Sequence, residues 1–318
     1  MRFNSDQIQK IGKEISNKVA GKTLFDEFSR GRYSTDASVY QIKPLGVVLP
    51  KDTNDVLSLM EYSQKNSVPL LARGGGSSQC GQTVGESVVL DYSKHQNKIL
   101  ELNVEEKYVW VQPGVVLDHL NAYLKPHGLW FPVDVSTSSR ATIGGMSANN
   151  SCGSRSLYYG NMVHNVLAIE AILDDGSIFN FDQINKNYLT TKNNQDRLYK
   201  IIDKFIDVRK QVGGEIDANW PTTQRRVGGY NIDLIDPEGF NSSNLLVGSE
   251  GTLSLFNKIK LKLSEIPKNK ILGVCYFDNF HQAMELSKEI VKLKPTCVEL
   301  MDQNLLNLAK EIPMYAGG

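Results

Sequence analysis

Charge imbalance is the first thing missing from this chain. Its 35 lysines and arginines match its 35 aspartates and glutamates, which leaves no broad surface of one sign for nucleic acid or an anionic bilayer. Cysteine is scarce as well. The four present, Cys80, Cys152, Cys275 and Cys297, stand far apart with no Cys-x-x-Cys pair. That spacing argues against cysteine-held zinc or iron–sulfur and points to reduced, mostly structural thiols. The five histidines, His95, His119, His127, His164 and His281, are scattered, with none four residues from another, so no metal site is expected. No apolar run approaches the roughly 18–20 residues of a membrane span, and Met1 to Gln7 holds no apolar signal core. A cytoplasmic location is expected, with a peripheral place at the inner membrane left open.

What the chain does have is glycine in particular places. Residues 142–160, Thr-Ile-Gly-Gly-Met-Ser-Ala-Asn-Asn-Ser-Cys-Gly-Ser-Arg-Ser-Leu-Tyr-Tyr-Gly, carry four glycines and four serines but few large aliphatics. Such a composition favours close approach of bare backbone to a ligand. A long polar loop is the plain alternative for this stretch alone. Upstream, Val68-Pro69-Leu70-Leu71-Ala72 reads as a short strand running into Arg73-Gly74-Gly75-Gly76-Ser77-Ser78-Gln79, a turn whose successive N–H groups suit an anion. Downstream, Leu245 to Leu253 reads as a strand, a Gly-Ser-Glu-Gly turn and a return.

The rest reads as short elements of both kinds. Residues 4–32 carry Ile8, Ile11, Ile15 and Val19 at helical spacing. Gly46 to Leu49, a helix capped near Thr53 to Asp55, and Val68 to Ala72 form a β-α-β unit. It is not a Rossmann fingerprint, because no helix of suitable pattern begins at Gly74 and no acidic residue follows at the right distance. Asp174-Asp175-Gly176 separates two apolar runs as a hairpin turn would. Leu198 to Val212 reads as an amphipathic helix burying Ile201, Ile202, Phe205, Ile206 and Val208. Ile271 to Phe277 and Cys297 to Met301 read as strands around a helix from Phe280 to Leu293.

Four segments in order resemble the flavin-binding module of the vanillyl-alcohol oxidase/PCMH superfamily: residues 73–79, Gln112-Pro113-Gly114-Val115, residues 141–160, and Gly248-Ser249-Glu250-Gly251-Thr252-Leu253. The strongest likeness is to its FAD-linked D-2-hydroxyacid dehydrogenases, acting on D-lactate, glycolate or D-2-hydroxyglutarate. The resemblance implies an α+β, PCMH-type two-subdomain FAD-binding fold over residues 41–265. An N-terminal helical segment precedes it over 1–40, and the start of an α+β substrate cap follows over 266–318. Stopping at Tyr315-Ala316-Gly317-Gly318 makes that cap read as truncated.

By the same resemblance FAD would lie against Arg73, Gly74, Gly75, Gly76, Ser77, Ser78, Gln79, Pro132, Ala141, Thr142, Gly144, Gly145, Asn149, Gly153, Ser156, Tyr159, Gly160, Glu250, Gly251 and Thr252. Some members bind it covalently through a histidine in the first loop. Ser77 stands at that place here, so dissociable FAD is expected. A basic residue near a Gly-Tyr pair binds substrate carboxylate in the family, which makes Arg225, Arg226 and Tyr230 candidates, with a solvent-facing arginine pair as the alternative. The implied reaction is hydride transfer from a small 2-hydroxy acid to flavin N5. Electrons would then pass to a quinone, an electron-transfer flavoprotein or an iron–sulfur partner. The family's late His-x-Gly-Asp-Gly motif is not found in these 318 residues, so the catalytic base stays unassigned. A flavin-binding fragment without turnover and an NADPH-dependent reductase of the same superfamily are the rival readings.

Overall fold

A computed structural model describes residues 3–185 and 196–314; the expected end at Tyr315 to Gly318 lies outside the described residues. Helix α1, Ser5–Ser16, begins in a capping box between Asn4 and Gln7 and buries Ile8, Ile11 and Ile15. It leads through β1 (Lys22–Leu24) and α2 (Glu27–Arg32) to β2 (Gly46–Leu49), α3 (Thr53–Asn66), β3 (Leu70–Arg73) and β4 (Val88–Asp91). The sheet order is β1-β2-β4-β3, with β4 parallel to both β2 and β3. The expected β-α-β unit is therefore split by β4, whose Val88, Val89 and Leu90 are fully buried, as a central parallel strand requires. Arg73 and Asp91 stand in register, so Gly74 and Tyr92 leave the sheet at the same edge, where open α/β sheets place ligands.

The second subdomain is built on β5 (Ile99–Asn103), β6 (Tyr108–Val111), α4 (Leu117–Leu124), β7 (Leu129–Trp130), α5 (Ile143–Asn149), α6 (Ser156–Tyr159), α7 (Met162–Asn165), β8 (Val166–Ile172) and β9 (Ile178–Phe181). It continues with β10 (Gln183–Asn185), α8 (Arg197–Asn219), β11 (Gly239–Asn241), β12 (Leu255–Lys262) and β13 (Ser264–Glu265). Its five strands run β5-β6-β12-β8-β9, all antiparallel. The β8–β9 hairpin turns at the expected Asp-Gly, with Gly176 at φ +82°. Ile172 and Leu255 reach across to the core of the first sheet.

Several expected elements differ. Residues 142–160 are largely helical, in α5 and α6, because tertiary contacts outweigh the poor propensity of glycine and asparagine. Leu245 to Leu253 is a short 3-10 turn and a glycine turn before β12, not two strands. Val208 is 44% exposed, since two residues on a helix rotate it about 200° from Ile206. Cys80, Cys275 and Cys297 are exposed and unpaired, so they are not structural core thiols.

Beyond β13 lie α9 (Phe280–Lys292) and α10 (Gln303–Glu311). Ile271 to Phe277 and Cys297 to Met301 form no strands. A helix satisfies its own backbone, whereas a strand needs a neighbour, and no described strand lies alongside these segments.

Candidate functional site

A cavity of about 460 Å³ opens between the two sheets, within the size range of small-molecule sites. Its apolar wall comes from both: Leu70, Leu71 and Ala72 of β3, Leu255 and Phe256 of β12, with Val135 and Met146. Its polar wall is the loop from Gly74 to Gln79. Among the described residues, none of the six backbone amides of that loop donates to another protein group. Buried or half-buried amides are ordinarily paired, so such a row is a site waiting for acceptors. Two buried hydroxyls on the wall, of Tyr92 and Ser254, likewise have no partner among the described residues.

The wall holds its shape by contacts that only glycine permits. A β-carbon on Gly74 would stand 2.0 Å from Thr142 Oγ1, one on Gly75 2.2 Å from the Arg140 carbonyl oxygen, and one on Gly144 2.5 Å from Pro113 Cβ. Thr142 caps α5, accepting from the Gly145 N–H at 3.3 Å. The glycine loop is thus pressed directly onto the start of α5.

Arg73 was expected to meet the cofactor, and it does line the cavity. Its guanidinium, however, is spent on carbonyls: Nη2 donates to Thr35 at 2.9 Å and Nη1 to Thr83 at 3.2 Å. It also lies 5.2 Å from the Tyr33 ring, whose hydroxyl donates to Asp91 at 2.6 Å. Arg73 is a clasp joining the 33–35 segment to the far end of the glycine loop.

Across the cavity, Glu250 adopts φ +51°, and its Oε1 accepts from Asn149 at 2.8 Å and Gln82 at 3.4 Å. Burial raises its carboxyl above the usual value, against the lowering effect of those two donors. Ser77, Ser78, Gln79, Ala141, Gly76, Gly145, Asn149 and Gly251 also line the cavity.

Pro132, Gly153, Ser156, Tyr159, Gly160 and Thr252 do not. Gly153 backs onto Asp134, where a β-carbon would meet the carbonyl at 2.0 Å, and its N–H donates to Ser156 Oγ at 3.0 Å. Tyr159 packs edge-on to Trp130, Gly160 faces His164, and Thr252 pairs with Tyr230 at 2.8 Å. Pro132 is buried and Thr252 is exposed.

The two arginines separate. Arg226 Nη2 binds Asp233 Oδ2 at 2.5 Å, both side chains under one-fifth exposed, and its guanidinium covers the Trp220 ring at 5.1 Å. Arg225 is exposed and its Nη2 lies 3.5 Å from Sγ of Cys152, a cavity-wall residue. Among the described residues no group of three metal-ligating side chains comes together, and no helix is long and apolar enough to cross a membrane.

Tyr92, Ser254, Gln82, Thr137 and Cys152 line the cavity without having been anticipated. For Tyr92 a signal existed, since it follows the carboxyl end of a strand parallel to β3. FAD needs donors for two phosphates, partners for its hydroxyls and apolar surface for its rings. The unspent amides, the two unpartnered hydroxyls and the aliphatic wall meet those needs.

Residues 44–182 match the family model described as an FAD binding domain. The chain is 35% identical over 291 residues to D-2-hydroxyglutarate dehydrogenase of Haemophilus influenzae, covering 87% of this chain and 28% of that protein. It is 30% identical over 306 residues to glycolate oxidase subunit GlcD of Bacillus subtilis, covering 94% of this chain and 55% of that one. It thus spans under a third of the first and about half of the second. Among solved structures, an alkyldihydroxyacetonephosphate synthase matches in fold with a TM-score of 0.63 and 18% identity, covering 91% of this chain and 47% of that one. Site, domain match and relatives agree on a PCMH-type FAD-binding domain with FAD as its cofactor, in a chain similar to D-2-hydroxyglutarate dehydrogenase and to glycolate oxidase subunit GlcD.

Proposed function

We propose that this chain is the FAD-holding portion of an enzyme that oxidises a small D-2-hydroxy acid. The observation that carries the reading is the row of unspent amides from Gly74 to Gln79, at the carboxyl end of β3 and on the wall of the cavity. Several pre-aimed N–H groups stabilise two phosphates without a lysine. Ala141, Thr142, Gly144, Gly145, Asn149, Glu250 and Gly251 would contact the rest of the cofactor. FAD is held without a covalent bond, since Ser77 replaces the attaching histidine and no histidine lines the cavity among the described residues. On this reading residues 41–265 are the flavin domain, 1–40 a helical lead-in, and 266–318 the start of a substrate-covering unit.

When bound, FAD supplies the hydride acceptor; the chain supplies position. Arg225, not Arg226, is assigned to the substrate carboxylate, because Arg226 is committed to Asp233 while Arg225 stands exposed beside the cavity wall. A guanidinium grips a carboxylate in two-pronged fashion. D-2-hydroxyglutarate and glycolate, named in the relatives, define the substrate class. A quinone, electron-transfer flavoprotein or iron–sulfur partner would take the electrons in a cytoplasmic or peripheral inner-membrane setting.

The test is an absorbance spectrum of the purified chain with added FAD, followed by D-lactate or D-2-hydroxyglutarate without oxygen. Bands near about 370 and 450 nm that heat releases are expected, and substrate should bleach the second. No flavin retained from excess FAD would overturn the assignment of the cavity. Retained flavin that neither acid bleaches would overturn oxidation of these acids by this chain.

A further inference from the structure

Residues 220–231 join α8 to the region ahead of β11 without a helix or strand of their own. They include Gly228 and Gly229, where an added β-carbon would meet nothing within 4 Å. Such a strap is costly to order unless it is tied down. Its far end is fixed by the buried Asn231, whose Nδ2 donates to the Val247 carbonyl at 2.7 Å and the Asn244 carbonyl at 3.2 Å; the stretch before it has fewer ties. Gln224 Nε2 donates to the Leu157 carbonyl at 2.7 Å, Asn161 Nδ2 donates to the Arg226 carbonyl at 3.2 Å, and Tyr230 pairs with Thr252. The Arg226 guanidinium links the two ends, covering Trp220 at the start and binding Asp233 just beyond the finish. Arg226 Nη1 and Asp233 Oδ1 are buried with no further hydrogen-bond partner among the described residues, so one contact carries the pair. Of the side chains flanking Arg226, Val227 itself lines the cavity, and Arg225 reaches the wall residue Cys152.

We infer that Arg226 and Asp233 are a positioning pair that holds the 220–231 strap so that Arg225 meets the substrate carboxylate. This rests on the assignment of Arg225 to that carboxylate. A tethered guanidinium is worth more than a mobile one because its orientation is set before the acid arrives. Loosening the pair should therefore weaken recognition of the acid while leaving the flavin, whose amide cradle lies on a different loop, where it is.

The experiment titrates the FAD-loaded full chain with oxalate, following the shift of the visible flavin band, and with D-2-hydroxyglutarate without oxygen, following the concentration dependence of its bleaching, for the parent, R225A, R226L, D233N, R226K and the charge swap R226D/D233R. FAD affinity and thermal midpoint are measured alongside. R225A should weaken acid binding by about tenfold or more, and D233N and R226L by a comparable factor, with FAD affinity within about twofold of the parent. R226K and the swap, which retain an ion pair if the single variants fold poorly, should recover part of the loss. If R225A weakens binding and neither D233N nor R226L does, the positioning role is wrong while the Arg225 assignment stands. If R225A has no effect, or neither acid changes the parent spectrum, the Arg225 assignment fails and the pair with it. FAD affinity falling in step with acid affinity in D233N would make the pair merely structural.

Discussion

Gly75 lies so close to Arg140 that a β-carbon added to it would stand 2.2 Å from the Arg140 carbonyl oxygen and 2.9 Å from its carbonyl carbon. The neighbour is backbone, so it cannot rotate away as a side chain tip would. Gly75 belongs to the loop of unspent amides, and Arg140 directly precedes Ala141 on the opposite wall. Two chain segments from different subdomains meet there with no room for a methyl group.

Gly75→Ala should therefore push the loop off its partner and misaim its amides. Overpacking of this kind costs about 1–3 kcal/mol, which is about a 5- to 150-fold loss in FAD affinity if it falls on binding. Fluorescence quenching on titration with FAD measures it. Gly251→Ala is the contrast: nothing lies within 4 Å of its added β-carbon, but φ is +74°, so it tests backbone strain without collision. Equal affinity for Gly75→Ala and the parent would show that the contact between the loops does not shape the site.

A second expectation concerns stability away from the site. Asp55, 4% exposed, accepts three backbone N–H bonds, from Ala20 at 2.7 Å, Gly21 at 2.8 Å and Lys51 at 2.7 Å. It fastens the segment between α1 and β1 onto the sheet. Hydrogen bonds to a charged acceptor are worth about 1.5–3 kcal/mol each, and stranded buried donors add a penalty. Asp55→Ala should lose about 3 kcal/mol or more of unfolding free energy in urea. Asp55→Asn, which keeps one acceptor oxygen, should lose less.

How far these features could be read from the sequence depends on how local they are. The β8–β9 hairpin was legible because Asp175-Gly176 sets its turn by itself. The glycine loop was legible because three successive glycines after a strand have few other uses. Arg73 was legible as a member of the site but not as a clasp, since its partners at Thr35 and Thr83 are brought up by the tertiary fold. The helix over Ile143–Asn149 was hidden because glycine and asparagine argue against helix, while its burial against Pro113 argues for it. Ile271 to Phe277 has strand composition, but pairing is a property of two segments, and no partner for it stands among the described residues. Arg225 and Arg226 are indistinguishable in sequence. What separates their surroundings is Asp233, seven residues beyond Arg226, which the fold brings onto Arg226 alone.

Glu250 gives a pH-dependent expectation. Its folded carboxyl titrates above the ordinary 4.5, chiefly because burial penalises the charge. Between 4.5 and that raised value the folded state binds more protons than the unfolded one, so stability falls as pH rises through this window. Glu250→Gln removes the charge and keeps an oxygen for Asn149 and Gln82. The flavin-free variant should melt above the parent at pH 7, and the gap should close as pH falls toward 4.5. A gap that is constant with pH would mean that Glu250 carries no ionisation penalty.

His164 tilts the balance the other way. Burial lowers its pKa below the usual 6.5, the Arg226 guanidinium lowers it further, and Asp233 opposes them. Its Nδ1 accepts the Asn161 N–H at 3.0 Å, a bond that requires the unprotonated nitrogen and closes the capping box of α7. As pH falls through about 6.5 the unfolded chain takes up the proton first. The contribution of His164 is therefore present above 6.5 and is lost progressively down to its lower folded value. His164→Gln keeps an acceptor oxygen at the same helical position but has nothing to titrate. The parent should lose stability relative to the variant from about pH 6.5 downward, the variant showing the shallower slope, and the difference between their thermal midpoints should become constant below the folded pKa of His164. Parallel slopes would mean that the imidazole is protonated as readily in the folded chain as in the unfolded one, and that the bond to Asn161 does not depend on its charge.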